Sequence, residues 1–72
     1  MQVIYDPISK MFSLCLEEDV IFLGPTSHAI ALLQKKYKLS YPLAKEVCTK
    51  AIADIGAPVD VNVIRRYIPN SK

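Results

Sequence analysis

The sequence contains few of the residues on which catalytic and metal sites depend. Among its 72 residues are no tryptophan, two glycines, two cysteines and one histidine. Two isolated glycines cannot form a glycine-rich phosphate loop. Cys15, His28 and Cys48 are too widely spaced for a zinc site, and the acidic run at 17–19 lacks the spaced oxygen ligands of a calcium loop. We therefore predict no metal site, no cofactor and no evident small-molecule substrate.

A Cys–His pair is the one catalytic alternative that the composition leaves. His28 could act as a base toward the thiol of Cys15 or Cys48. However, His28 follows Thr26 and Ser27 at the expected start of a helix, where a histidine is usually a surface residue. A non-catalytic protein with two free thiols is the preferred interpretation.

Long apolar runs are also missing. The longest stretches, residues 20–23 and 29–33, are far shorter than the roughly 20 residues of a membrane-spanning helix. The first residues have no basic region of the kind that opens a secretory signal. Free thiols are typical of a reducing compartment. These features favour a cytoplasmic protein that does not enter a membrane.

Apolar residues are nevertheless abundant for so short a chain. They make up 51% of the sequence, and the mean hydropathy is +0.22. A chain of this size forms one domain, which we place at residues 1–68, followed by a frayed tail at 69–72. Its interior is small. The surplus of apolar residues therefore predicts an interface, either with another protein or with a second copy in a homodimer.

The first part of the chain predicts three strands in an antiparallel meander. Residues 2–5 are strand formers, residues 11–16 alternate between two faces, and residues 20–23 are apolar throughout. Asp6 and Pro7 form a turn between the first two strands, because Asp accepts backbone hydrogen bonds and Pro fixes its own φ.

Two helices and a final strand follow. Thr26 or Ser27 is the expected N-cap of a helix that reaches about Tyr37, and Ser40 caps a second helix that reaches about Ile55. Val59, Val61 and Val63 alternate with polar residues, which predicts a last strand that joins the sheet. The fold class is therefore α+β, in the order βββααβ, with a helical hairpin packed on one face of the sheet.

The helix pair at 27–55 has a second interpretation. The run LQKKYKLSYPLAKEV at 33–47 has a helix end, a short turn with a leucine and a capping serine, and a second helix start. This pattern resembles the helix-turn-helix of DNA-binding regulators, with Lys38 at the turn position that glycine often holds. The resemblance implies a nucleic-acid-binding module.

Charge is unevenly distributed and supports that alternative. Residues 1–31 carry four carboxylates against Lys10, whereas residues 32–72 carry eight Lys and Arg against three carboxylates. Basic side chains can contact phosphates without reading sequence. The candidate nucleic-acid-binding residues are Lys35, Lys36, Lys38, Lys45, Arg65 and Arg66.

Exposed tyrosines near the same residues favour protein binding instead. Tyrosine and arginine are enriched among the residues that dominate interface energetics. The candidate protein-binding residues are Tyr41, Arg65, Arg66, Tyr67 and Ile68. The preferred function is a small non-catalytic protein-binding or regulatory module, and the alternative is a nucleic-acid-binding module that uses the helix pair and a basic C-terminal arm.

Overall fold

Three strands joined by short turns form the first part of the fold. A computed structural model describes residues 1–67, with β1 at Gln2–Asp6, β2 at Met11–Cys15 and β3 at Val20–Gly24. β1 pairs antiparallel with β2, and β2 pairs antiparallel with β3. The predicted meander is confirmed.

The turn between β1 and β2 forms around Asp6. Its carboxylate accepts hydrogen bonds from the backbone N–H of Ile8 and the hydroxyl of Ser9, both at 3.0 Å. These bonds favour the charged form, so they hold the pKa of Asp6 below its ordinary value. Lys10 completes the turn with a φ of 60°.

The first helix, α1, spans Thr26–Lys35 and begins one residue earlier than predicted. Neither Thr26 nor Ser27 is the N-cap. Pro25 occupies that position in an extended conformation, and its carbonyl accepts the N–H of Ala29 at 2.8 Å. Proline has no side-chain acceptor, so the helix begins without a side-chain cap.

The connection between the helices contains a strained residue. Lys38 has a φ of 60°, and the N–H of Leu39 donates to the carbonyl of Leu33 at 3.1 Å. This left-handed conformation is uncommon for a residue other than glycine. The α-helix therefore ends at Lys35, before the predicted Tyr37.

The second helix, α2, spans Tyr41–Ala53. The predicted cap is confirmed: the Ser40 side chain accepts the N–H of Leu43 at 3.3 Å, and Pro42 lies in the first turn.

The helix ends before the predicted Ile55. Ile52 in its last turn and Ile55 beyond its end are 41% and 66% exposed. The chain leaves the helix at Asp54, where the backbone is no longer helical, and Gly56 follows with a φ of 79°.

The C-terminal region differs most from the prediction. The last strand, β4, contains only Val59–Asp60, and Val61–Tyr67 form a third helix, α3. The Asp60 carboxylate accepts the N–H of Asn62 at 2.8 Å, which satisfies a free donor at the helix start. Val61 and Ile64, three positions apart, are buried, whereas Val63 is 42% exposed. Helical burial of this pair thus replaces the predicted alternation.

The strands form one antiparallel sheet in the order β3-β2-β1-β4. β4 pairs with β1, opposite Gln2 and Val3, so the last strand joins the sheet as predicted and α3 is an addition to the predicted order. The helices pack on one face, where the buried side chains form a single core. Its largest members are Phe12, Leu14, Leu23, Leu33 and Leu43.

Candidate functional site: the open sheet face

The sheet presents its second face to solvent. Alternation along each strand directs Val3, Phe12 and Leu14 toward the helices, and these three side chains are fully buried. The side chains between them therefore point away from the helices. We call this surface the open sheet face. It comprises Gln2, Ile4, Asp6, Met11, Ser13, Cys15, Val20 and Phe22.

The part of the open sheet face on β2 and β3 is mainly apolar, and the charged side chain at its β1 side is the carboxylate of Asp6, opposite Met11. Phe22 is 65% exposed and Val20 is 73% exposed, two positions apart on β3. Their cross-strand neighbours on β2 are Ser13 and Cys15, and Ser13 in turn lies opposite Ile4 on β1. Single exposed apolar residues are normal on protein surfaces, but a contiguous patch is typical of an interaction surface.

The predicted protein-binding residues lie elsewhere, on the helical layer. Tyr41 is the first residue of α2 and is 53% exposed. Arg65 and Arg66 are exposed in the last turn of α3, which ends at Tyr67, and Ile68 lies outside the described residues, as does the predicted tail at 69–72. The members of the predicted set up to Tyr67 thus lie on two different helices, α2 and α3.

A groove beside α3 separates that helix from the C-terminal half of α2. Its volume is about 530 Å³. Val63 and Ile64 contribute from α3, while Glu46, Lys50 and Asp54 follow one stripe of α2. Together with Asp60, the lining carries three carboxylates and one ammonium group, so this groove has the opposite charge to the neighbouring Arg65 and Arg66.

The predicted nucleic-acid-binding residues are all exposed. Lys35, Lys36 and Lys38 lie within four positions at the α1–α2 connection, and Lys45 lies one turn into α2. The ammonium group of Lys36 is 5.9 Å from the centre of the Tyr37 ring. The three lysines therefore form one cationic cluster at the α1–α2 connection. The two arginines belong to a different element, α3.

The groups considered for catalysis occupy different layers. Cys48 is buried in the core, and burial raises the pKa of its thiol to about 11. A protonated, inaccessible thiol is a poor nucleophile. Cys15 is a half-buried free thiol on the open sheet face, whereas His28 lies on α1, on the helical side of the sheet. Within residues 1–67, no group of three His, Cys, Asp or Glu side chains is arranged to hold a metal ion.

Sequence reasoning did not identify Val20 and Phe22 as candidates. The signal was present, because residues 20–23 are apolar at every position and therefore supply apolar side chains to both faces of the sheet. The helices of the described part of the chain cover only one face of the sheet. An edge strand with apolar side chains on both faces therefore exposes one set of them to solvent.

No helix in the described part of the chain is both long and apolar enough to cross a membrane. Comparison of the chain with protein-family models, with curated proteins and with solved structures finds no match.

Proposed function

We propose that this protein is a non-catalytic protein-binding module whose contact surface is the open sheet face. The observation that carries the proposal is the exposure of Val20 and Phe22 on a sheet face that the helices leave uncovered. Burying the ring of Phe22 would remove a large apolar area from water, and aromatic side chains contribute strongly to interface energetics.

The lack of lysine and arginine on the face supports protein binding over phosphate binding. The centre of a protein interface is depleted in charged residues and enriched in aromatic side chains and Met. Met11 and Phe22 fit that composition, and no lysine or arginine interrupts the face. The exposed tyrosine and arginines of the helical layer, Tyr41, Arg65 and Arg66, would then contact solvent or a second partner.

Site-specific photocrosslinking tests this proposal. A benzophenone amino acid at position 22 should yield discrete crosslinked species when the protein is irradiated in its native host cells. The matched control places the same group at Ala31, an exposed position of α1 on the other layer. Equal and diffuse crosslinking from both positions would contradict a role for the open sheet face.

The nucleic-acid-binding alternative has one observation in its favour, the three exposed lysines at the α1–α2 connection. It predicts that labelled mixed-sequence DNA or RNA binds with an affinity that decreases steeply with salt. Replacement of Lys35 and Lys36 by Gln should then weaken binding uniformly across sequences and reduce the salt dependence. Absence of binding at low salt in an anisotropy titration would remove this alternative.

A further inference from the structure

The backbone of β3 has unsatisfied hydrogen-bonding groups at the edge of the sheet. β3 is one of the two edge strands of the sheet and pairs on one side only, with β2. The N–H of Leu16 donates to the carbonyl of Asp19 at 2.8 Å, so the Asp19 carbonyl faces β2. Because hydrogen-bonding direction alternates along an antiparallel strand, Ile21 also faces β2, whereas the N–H and C=O groups of Val20 and Phe22 face outward.

The same two residues therefore present both an exposed side chain and outward backbone groups. An edge of this kind is a template for another strand. Natural edge strands are usually protected by a charged residue or a proline, and residues 20–24 contain neither. The one irregularity in the β2–β3 register lies beyond Phe22, next to Gly24, and leaves the segment from Val20 to Phe22 regular.

We propose that β3 pairs with β3 of a second copy, in an antiparallel arrangement around a two-fold axis at Ile21. This inference rests on the proposed function: the second copy joins along the edge of the open sheet face, where the Val20 and Phe22 side chains of the two copies meet. The register places Val20 opposite Phe22 of the second copy, twice by symmetry. Aromatic and β-branched side chains directly opposite each other are a favourable cross-strand pair. The two sheets then form one continuous sheet of eight strands, and the two open sheet faces become continuous.

Charge complementarity supports this register. It brings the acidic turn of one copy, Glu17-Glu18-Asp19, alongside Gly24 and Pro25 of the other, where α1 begins. That helix start has no side-chain cap and no acidic residue in its first turn. The N–H groups of Thr26, Ser27 and His28 precede the first intrahelical bond, so they carry the positive end of the helix dipole. Lys10 lies at the same end of the sheet.

Hydrogen exchange on the unmodified protein tests the proposal directly. In the monomer the Ile21 amide is bonded to β2 and exchanges slowly, whereas the Val20 and Phe22 amides exchange fast. Raising the protein concentration from micromolar to millimolar should slow exchange at Val20 and Phe22 by roughly tenfold or more, with no change at Ile21. Sedimentation equilibrium over the same range should show conversion of the 8.1 kDa chain to a dimer.

Two variants identify the surface. Val20→Lys places a charge in the new ladder and should weaken dimerisation by roughly tenfold. Glu18→Lys should also weaken it, and more strongly at low salt, because this change replaces attraction to the α1 start by repulsion. Lys45→Glu, on the other layer, is the matched control and should leave the dimer unchanged. Thermal unfolding of each variant at low concentration shows whether the monomer retains its fold.

A chain that stays monomeric at millimolar concentration would overturn the inference. A dimer in which the Val20 and Phe22 amides still exchange fast would also overturn it, because the copies would then meet elsewhere. If the chain is monomeric and position 22 crosslinks to a different protein, the inference fails while the proposed function stands. If neither dimer nor discrete crosslink forms, both fail.

Discussion

Gly24 and Gly56 have nearly the same backbone conformation in different surroundings. Their φ angles are +85° and +79°, a region that other residues rarely adopt. A Cβ atom at Gly24 would lie 2.9 Å from Nδ1 of His28, whereas a Cβ at Gly56 would meet no atom within 4 Å. Substitution of these two glycines therefore distinguishes destabilisation by backbone strain from destabilisation by steric crowding.

We expect Gly56→Ala to lower the free energy of unfolding by about 1–2 kcal/mol through backbone strain alone. Gly24→Ala should lower it further, because the His28 ring must also move. In a His28→Ala background that excess should disappear. Urea denaturation of the single and double variants measures these differences. If the additional destabilisation by Gly24→Ala persists in the His28→Ala background, crowding by His28 is not its cause.

Lys10 and Lys38 both have a left-handed backbone, but the two conformations were not equally predictable from the sequence. Lys38 lies where glycine is common in a helix-turn-helix, and that position predicts the strained backbone found there, with φ at 60°. Lys10 has the same φ, but only the turn that contains it was predictable from the residues. A turn can be predicted from the residues that form it. Which of its residues adopts the left-handed backbone depends on how the flanking strands pair.

At the scale of elements, the segment from Val59 to Tyr67 explains both the success and the error of the sequence prediction. Val59, Val61 and Val63 satisfy the two-residue period of a strand, and Val61 and Ile64 also satisfy helical spacing. Periodicity alone does not decide between them. The Asp60 carboxylate does, because it accepts the N–H of Asn62 and lowers the cost of starting a helix after two residues of strand.

Asp60→Ala should therefore destabilise the protein by about 1 kcal/mol, since the bond to Asn62 N–H is lost. Asp60→Asn keeps an acceptor in the same place and should retain most of the stability. Chemical denaturation compares the three proteins, with backbone chemical shifts of residues 61–66 as a local readout. Equal losses for Ala and Asn would show that the cap contributes nothing.

At the scale of the whole molecule, the candidate site was harder to predict than the fold. The alternation at residues 11–15 indicates which side chains share a face, but not which face the helices cover. That choice depends on how α1 and α2 pack across the sheet. The predicted residues Tyr41, Arg65 and Arg66 are exposed on the helical layer, whereas the exposed side chains of Val20 and Phe22 lie on the opposite layer.

Stability of the whole domain should depend on alkaline pH through Cys48. Burial raises the pKa of its thiol from 9.0 to about 11, so the folded protein favours the protonated form. The contribution is complete below pH 9 and is lost as pH rises toward 11. The full loss is up to about 3 kcal/mol, because two pKa units separate the states.

Urea denaturation between pH 8 and pH 10.5 checks this expectation. Cys48→Ala removes the titrating group and should flatten the decrease in stability over that interval. Cys15→Ala, at a half-buried position on the open sheet face, is the control and should follow the original curve. Parallel curves for the original protein and Cys48→Ala would contradict a coupling between this thiol and folding.

The pairing of β4 with β1 has a consequence for the order of events during synthesis. The meander and the helix pair involve neighbours in sequence, so they can form as soon as each segment leaves the ribosome. Gln2 and Val3, by contrast, pair with Asp60 and Val59. The β1 edge therefore stays open until residues 59 and 60 have left the ribosome, and a nascent chain at that stage exposes the five-residue β1 as its second sheet edge in place of the two-residue β4.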